Sequence, residues 1–280
     1  MKRLLDFSAR QIKSALGWMM FQTGMYRRML RGQAVIVLFH RISDQYPGDP
    51  ITCSRDSFER FVDFFGKYFK VITLSELLLV LPSGTELEGK LVITFDDGYL
   101  DNATVAAPIL ERKGIRGTFF LTTDYLGTDR IPPWDQQRGN VSQWMSWDQA
   151  RRLRAAGHDV GSHTQNHPDL GKIRGEDARR EIGGGAERLN RELGEATGLF
   201  ARPFGWHGQM AAENTQIVKE LGLRCDLSAY GGTIAAGDDP YHLKRTPISG
   251  WFHSPYQFGF ELVTGKVNTT DPTTTDPVVT

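Results

Sequence analysis

At 280 residues the chain can bury a full core, as one barrel-sized α/β domain or as two smaller ones. Its 33 Lys and Arg balance its 33 Asp and Glu, so no global charge argues for a nucleic-acid partner. Two cysteines, Cys53 and Cys225, are too few for a disulfide framework and read as buried free thiols, and no run of about 18 apolar residues marks a transmembrane helix.

The first 32 residues carry seven positive charges (Lys2, Arg3, Arg10, Lys13, Arg27, Arg28, Arg31) against Asp6. The apolar patch Ala15 to Phe21 is short and ends without a small-residue cleavage pattern, a poor match to a secretory signal. Residues 1–33 therefore read as a basic amphipathic helical segment that packs on the fold or lies on an anionic membrane face. This predicts a chain that is cytoplasmic or peripheral to the inner face of the membrane, touching the membrane, if at all, through residues 1–31.

Ala34 to Phe39 is a continuous apolar run rich in β-branched residues, the pattern of a strand buried on both faces, and it ends at His40. A loop through Pro50 follows. Asp56 or Ser57 is the expected cap of a helix whose apolar positions Phe58, Phe61, Val62, Phe65 and Phe69 recur every three or four residues. Val71-Ile72 reads as a brief strand, Ser75 as the cap of a second helix, and Lys90 to Ile93 as a buried strand running into ThrPheAspAspGlyTyr at 94–99. Helices at 102–113, 146–156, 176–193 and 211–221 alternate with strands at 117–122, 158–161, 200–204, 224–228 and 243–248. The loop from Thr123 to Val141 is long enough to be functional. Such alternation implies βα units in a parallel barrel over residues 34–265. The Thr-, Asp- and Pro-rich tail, 266–280, is expected to be disordered.

Two adjacent carboxylates, Asp96 and Asp97, at the end of a buried strand repel one another unless their roles are separated. A metal separates them: one binds the ion while the other moves protons. The alternative is a solvated Asp-Asp-Gly turn. His163 and His167, four apart in HisThrGlnAsnHis, fall on one side of a single helix-like turn that Pro168 then stops. With Asp97 they make an Asp-His-His set with open positions for water and substrate.

ThrPheAspAspGlyTyr followed by HisThrGlnAsnHis resembles the polysaccharide deacetylases, carbohydrate esterase family four, and AlaArgProPheGly at 201–205 resembles that family's third motif. The resemblance spans roughly residues 34–250 and implies a distorted (β/α)7 barrel. It also implies a divalent ion, most often zinc, although such a ligand set accepts cobalt, nickel or iron as well. The implied reaction is removal of acetyl groups from N-acetylated sugars, with Asp96 as general base and Asp97, His163 and His167 as metal ligands. The oxyanion is expected at the backbone N–H of Phe204, with Trp206 beside it as a substrate contact. The family pattern has Arg where this chain has Ala201, and Arg202 points to the other face of an extended segment, so Arg245 is the candidate partner of Asp96. The family's C-terminal Leu-x-His is missing from its usual place. Leu38-Phe39-His40 repeats that pattern on the first strand, a neighbour of the last in a closed barrel, which makes His40 the candidate general acid ahead of His242 and His253. Two other readings are a catalytically silent carbohydrate-binding barrel and an amide hydrolase acting on a lipid-linked sugar.

Overall fold

The computed structural model describes residues 2–84, 86–141 and 143–265, with side chains from residue 8 onward, so the tail expected to be disordered lies outside the described residues. Seven strands share one sheet: β1 (Gln33–Phe39), β2 (Lys70–Ile72), β3 (Lys90–Phe95), β4 (Thr118–Leu121), β5 (Asp159–Ser162), β6 (Ile234–Ala235) and β7 (Thr246–Pro247). The helices are α1 (Lys2–Gln22), α2 (Met25–Met29), α3 (Arg55–Tyr68), α4 (Leu74–Val80), α5 (Ala107–Arg112), α6 (Pro133–Arg138), α7 (Trp147–Ala155), α8 (Gly175–Leu193), α9 (Ala212–Glu220) and α10 (Pro255–Val263).

The strands β5, β4, β3 and β1 run parallel in that order, and β7 pairs in parallel with the far edge of β1. Single parallel bridges, Ser162 to Phe200, Ala201 to Leu227 and Leu227 to Leu243, close the ring from β5 back toward β7. The result is a distorted (β/α)7 barrel. Segments 200–204 and 224–228, expected as strands, contribute to it only through these bridges.

Alternation along each strand divides the core. Ala34, Ile36, Val92 and Phe120 pack with Leu199, Ala201, Leu227 and Leu243 inside the barrel. Val35, Val37, Phe39, Ile93, Phe95 and Phe119 face the helical layer, where Phe58, Phe61 and Phe65 of α3 and Phe258 of α10 meet them. Each such fully buried side chain contributes about 1.5–3 kcal/mol. The parity carries functional weight, because residues 92, 94 and 96 share the inner face of β3 and its continuation.

Two helix caps lie earlier than expected. Ser54, not Asp56 or Ser57, accepts the N–H of Ser57 at the start of α3, and Thr73, not Ser75, caps α4 in a reciprocal box with Glu76. A cap residue needs extended backbone, and Ser54 and Thr73 have it (ψ 153° and 165°), whereas the expected residues already lie inside the first turn. The long loop at 123–141 contains α6, and the polar stretch after His40 forms a short parallel ribbon, Arg41–Ile42 against Thr52–Cys53. Cys53 and Cys225 are free and buried, and burial pushes their thiols up to about 11 and about 12.

The N-terminal segment packs on the barrel through α10. A Cβ on Gly17 would fall 1.9 Å from the carbonyl oxygen of Tyr256, so only glycine permits this approach. Arg10 contacts His253, and Lys13 pairs with Glu261 at 2.8 Å. The helix therefore turns these two cations toward the fold, as in the expected alternative in which the segment packs on the barrel.

Candidate active site

All the sequence-derived ligands meet at the carboxyl end of the barrel strands. β3 ends at Phe95, and inward parity carries Asp96 into the barrel mouth. Asp97 then takes a left-handed backbone, φ 75°, which turns its carboxylate toward the same space. The HisThrGlnAsnHis segment follows β5 as a bend, not the helix-like turn expected from the four-residue spacing. Thr164 and His167 both have positive φ (65° and 58°), and the hydroxyl of Thr164 accepts the His167 N–H at 3.0 Å. Asp97, Thr164, His167 and Phe204 are the non-glycine residues with positive φ among the described residues, and all border this site. Each such conformation costs about 1–3 kcal/mol, and here the surrounding packing imposes it.

Helix α8 holds the histidine loop from behind. Its Glu181 accepts from Gln165 N through the main chain and from Asn166 N through the carboxylate. Of the three glycines in its middle, which look like a helix weakness in the sequence, Gly184 lies against Gln165 and Gly185 against Thr164, and these two allow the contact. A Cβ on Gly185 would lie 2.6 Å from the Thr164 carbonyl carbon and 2.9 Å from the Ser162 hydroxyl. Gly185→Ala must displace backbone, so it is expected to cost about 1–3 kcal/mol and to weaken zinc binding, as read by thermal melts with and without the ion. Unchanged zinc affinity and melting in that variant would contradict the clamp.

The donor atoms suit a metal. One ligand atom each from Asp97, His163 and His167 lies within 4.8 Å of the others. His163 Nε2 is 3.5 Å and His167 Nε2 3.3 Å from Asp97 Oδ1, close to the roughly 3.3 Å between two ligands on a tetrahedral ion with 2.0–2.1 Å bonds. His163 Nδ1 lies 2.8 Å from the Ala201 carbonyl, to which it can only donate, which leaves the Nε2 lone pair facing the site. Asp97 Oδ1 is buried with no hydrogen-bond partner, and so is His167 Nδ1. An uncompensated buried carboxylate oxygen is costly, and a cation at this point removes that cost. The electrostatics agree. Burial pushes the His163 ring down to about 4, so it is neutral at physiological pH. Burial also works to raise the Asp97 carboxyl, but the neighbouring imidazoles, His167 foremost with His40 and His163, together outweigh it and the group stays well below the usual carboxylate range.

Asp96 is held differently. Arg245, fully buried, donates Nη1 and Nη2 to the two Asp96 oxygens at 2.7 and 2.8 Å, with Nε on the Ser228 carbonyl at 2.7 Å and Nη1 also 3.3 Å from the Thr94 hydroxyl. Burial opposes ionisation of Asp96, yet the charge and the paired hydrogen bonds of Arg245 hold its carboxyl below the ordinary range. Ala201 occupies the inward position, so the barrel wall there carries no guanidinium and the neighbouring segment supplies one. Arg202 faces outward, as extended geometry requires, and its guanidinium is buried against Asp226 and Thr215.

His40 directly follows β1, whose last residue, Phe39, accepts the Asp96 N–H at 3.0 Å, so the two chain segments run side by side at the barrel mouth. His242 instead bonds Asp239 at 3.2 Å and His253 contacts Arg10, both away from the carboxylate pair. Phe204 is 43% exposed, with its ring centroid 5.0 Å from that of His167, and among the described residues its N–H has no backbone acceptor. Trp206 is half-buried, its N–H bonded to Gln209 Oε1 at 3.1 Å.

The sequence reading missed a further layer. Trp134 of α6 lies over the His167 ring at 4.4 Å, opposite in kind to the solvent-facing Phe204, and donates its indole N–H to Tyr99 Oη at 2.9 Å. Tyr99 donates to Asp135 at 3.2 Å, and Arg41 donates to the same carboxylate oxygen at 2.5 Å. This buried network anchors the long loop against the His167 ring. Tyr99 stands inside the ThrPheAspAspGlyTyr stretch itself, and the loop was long enough to flag, but nothing in the sequence pairs them.

A family model described as polysaccharide deacetylase matches residues 83–225. The protein YxkH of Bacillus subtilis is 22% identical over 216 residues, covering 76% of this chain and 71% of that protein. A chitin deacetylase of Colletotrichum lindemuthianum is 31% identical over 173 residues, 60% of this chain and 56% of the other. Among solved structures, the Streptococcus pyogenes deacetylase PplD in complex with acetate superposes with a TM-score of 0.68 at 20% identity, over 85% of this chain and 99% of that one, a likeness of fold.

Proposed function

The chain belongs to the polysaccharide deacetylase family, and from that premise we propose that it is a metal-dependent hydrolase removing acetyl groups from N-acetylated sugars of a poly- or oligosaccharide. The observation that carries the reading is the convergence of Asp97, His163 and His167 beside a carboxylate, Asp96, that the ligand set does not need. A binding barrel has no use for that combination. The match to a chitin deacetylase supports an N-acetylated sugar as substrate.

Asp97, His163 and His167 would hold a divalent ion, zinc or one of the other ions that such a set accepts, and when bound it would supply Lewis acidity toward the acetyl carbonyl and toward water. Asp96, kept ionised by Arg245, takes the proton of the attacking water. The Phe204 N–H, without a backbone acceptor among the described residues, donates to the oxyanion that develops on the carbonyl oxygen, and Trp206 lines the substrate side. His40 gives a proton to the leaving nitrogen, which departs as an amine rather than as a far poorer amide anion.

The test is to incubate the pure protein with zinc and a panel of N-acetylated oligosaccharides, and to measure acetate and free amine together. Equal amounts of both, increasing with time, are expected. Acetate without amine would make the enzyme an esterase, and retention of oligosaccharide with neither product would favour the binding barrel.

A further inference from the structure

Helix α1 is apolar on two faces. Its inner face, Gly17, Met20 and Phe21, is fixed against α10 and α3, and the close approach at Gly17 prevents it from rotating. Its outer face presents Ile12 (61% exposed), Leu16 (39%) and Met19 (45%), at spacings of four and three residues that align them along one stripe, with Trp18 also exposed. The next helix, α2, adds exposed Met25 and Met29 among the exposed Arg27, Arg28 and Arg31. From Phe7 to Gly32 the sequence contains five cations and no carboxylate. No helix is long and apolar enough to cross a membrane among the described residues.

An apolar stripe beside arginines whose own segment carries no carboxylate, with Glu88 near Arg27 and accepting the Gly32 N–H, is the pattern of a helix that lies in a lipid headgroup layer rather than spanning it. We propose that the outer face of α1, with the arginines of α2, docks this protein on an anionic phospholipid bilayer. The charge decides between occupants: a second copy would set Arg27, Arg28 and Arg31 against their own like, whereas an anionic headgroup layer complements them. Arg10, against His253, and Lys13, paired with Glu261 of α10, fix the inner face and do not face the lipid. Docking in this way lays the helix flat. Its Arg10 end contacts His253, which borders a cavity with Ser43, Asp44 and Thr52, just beyond the strand end that carries His40. The docking is independent of the hydrolytic reading, because it is measured without substrate.

The full chain is mixed with vesicles of phosphatidylcholine alone or of phosphatidylcholine with phosphatidylglycerol, and sedimented. It is expected to pellet with the anionic vesicles only and to be released by salt. The triple variant Ile12→Ser, Leu16→Ser, Met19→Ser should stay in the supernatant. Arg28→Gln with Arg31→Gln should lower the partition coefficient roughly thirtyfold, about fivefold for each cation removed. All these variants should retain the helical circular dichroism and zinc binding of the unaltered chain. Failure of the unaltered chain to pellet with anionic vesicles at low salt would overturn the proposal. So would triple-variant binding equal to that of the unaltered chain, or a dimer of the unaltered chain that the triple variant converts to monomer.

Discussion

Asp96→Asn is expected to keep its zinc and to turn over roughly 10²–10⁴-fold more slowly, the usual contribution of a positioned general base. The substitution preserves shape and one acceptor oxygen for Arg245 but cannot take up a proton. The distinction is demanding because Asp96 Oδ2 lies only 3.7 Å from His163 Nε2, close enough for Asp96 to be mistaken for a ligand. Elemental analysis together with turnover separates the roles. If metal content and turnover fall in parallel, Asp96 is a ligand and the division of labour between the two carboxylates is wrong.

Arg245→Ala should be the most destabilising single change near the site. Asp96 and Arg245 are both essentially removed from solvent, and the pair is bidentate. Removing the cation strands a buried carboxylate, which costs about 3–5 kcal/mol, and the protein responds by protonating it. Because the Arg245 charge helps hold the Asp96 carboxyl low, its loss should move the acid limb of the rate profile to higher pH. Arg245→Lys restores a charge but not the fork, so it should recover part of the stability and less of the rate. Denaturant melts and a pH–rate profile of both variants check this. An Arg245→Ala protein with unchanged melting and an unmoved acid limb would make the arginine a bystander.

The barrel was legible because its signals are local and strong. The apolar runs ending at Phe39 and Phe95 could only be strands buried on both faces, and the glycine-terminated helices between them left few other folds. The meeting of Asp96 with Arg245 could be anticipated because residue 202 must point away from residue 201 in extended chain, leaving the inner position empty. Contacts that depend on loop path were not legible. Trp134 meets His167 only because Arg41, Asp135 and Tyr99, drawn from three separate stretches, pin α6 in place. Gly184 and Gly185 read as a weak point in the helix because the loop that lies against them, Thr164 and Gln165, is distant in sequence. Helix α10 carries no clear polar face, and the sequence reading passed over it although α1 depends on it. The inward turn of Arg10 and Lys13 likewise follows from partners more than 240 residues away.

The metal itself is tested most directly by titrating metal-free protein with zinc and measuring the bound ion by elemental analysis, for the unaltered chain and for His163→Ala. Three ligands that converge on one point lose their geometry when one is removed. One zinc per chain is expected in the unaltered protein, with most of it lost from His163→Ala. Full zinc occupancy in His163→Ala would contradict the account.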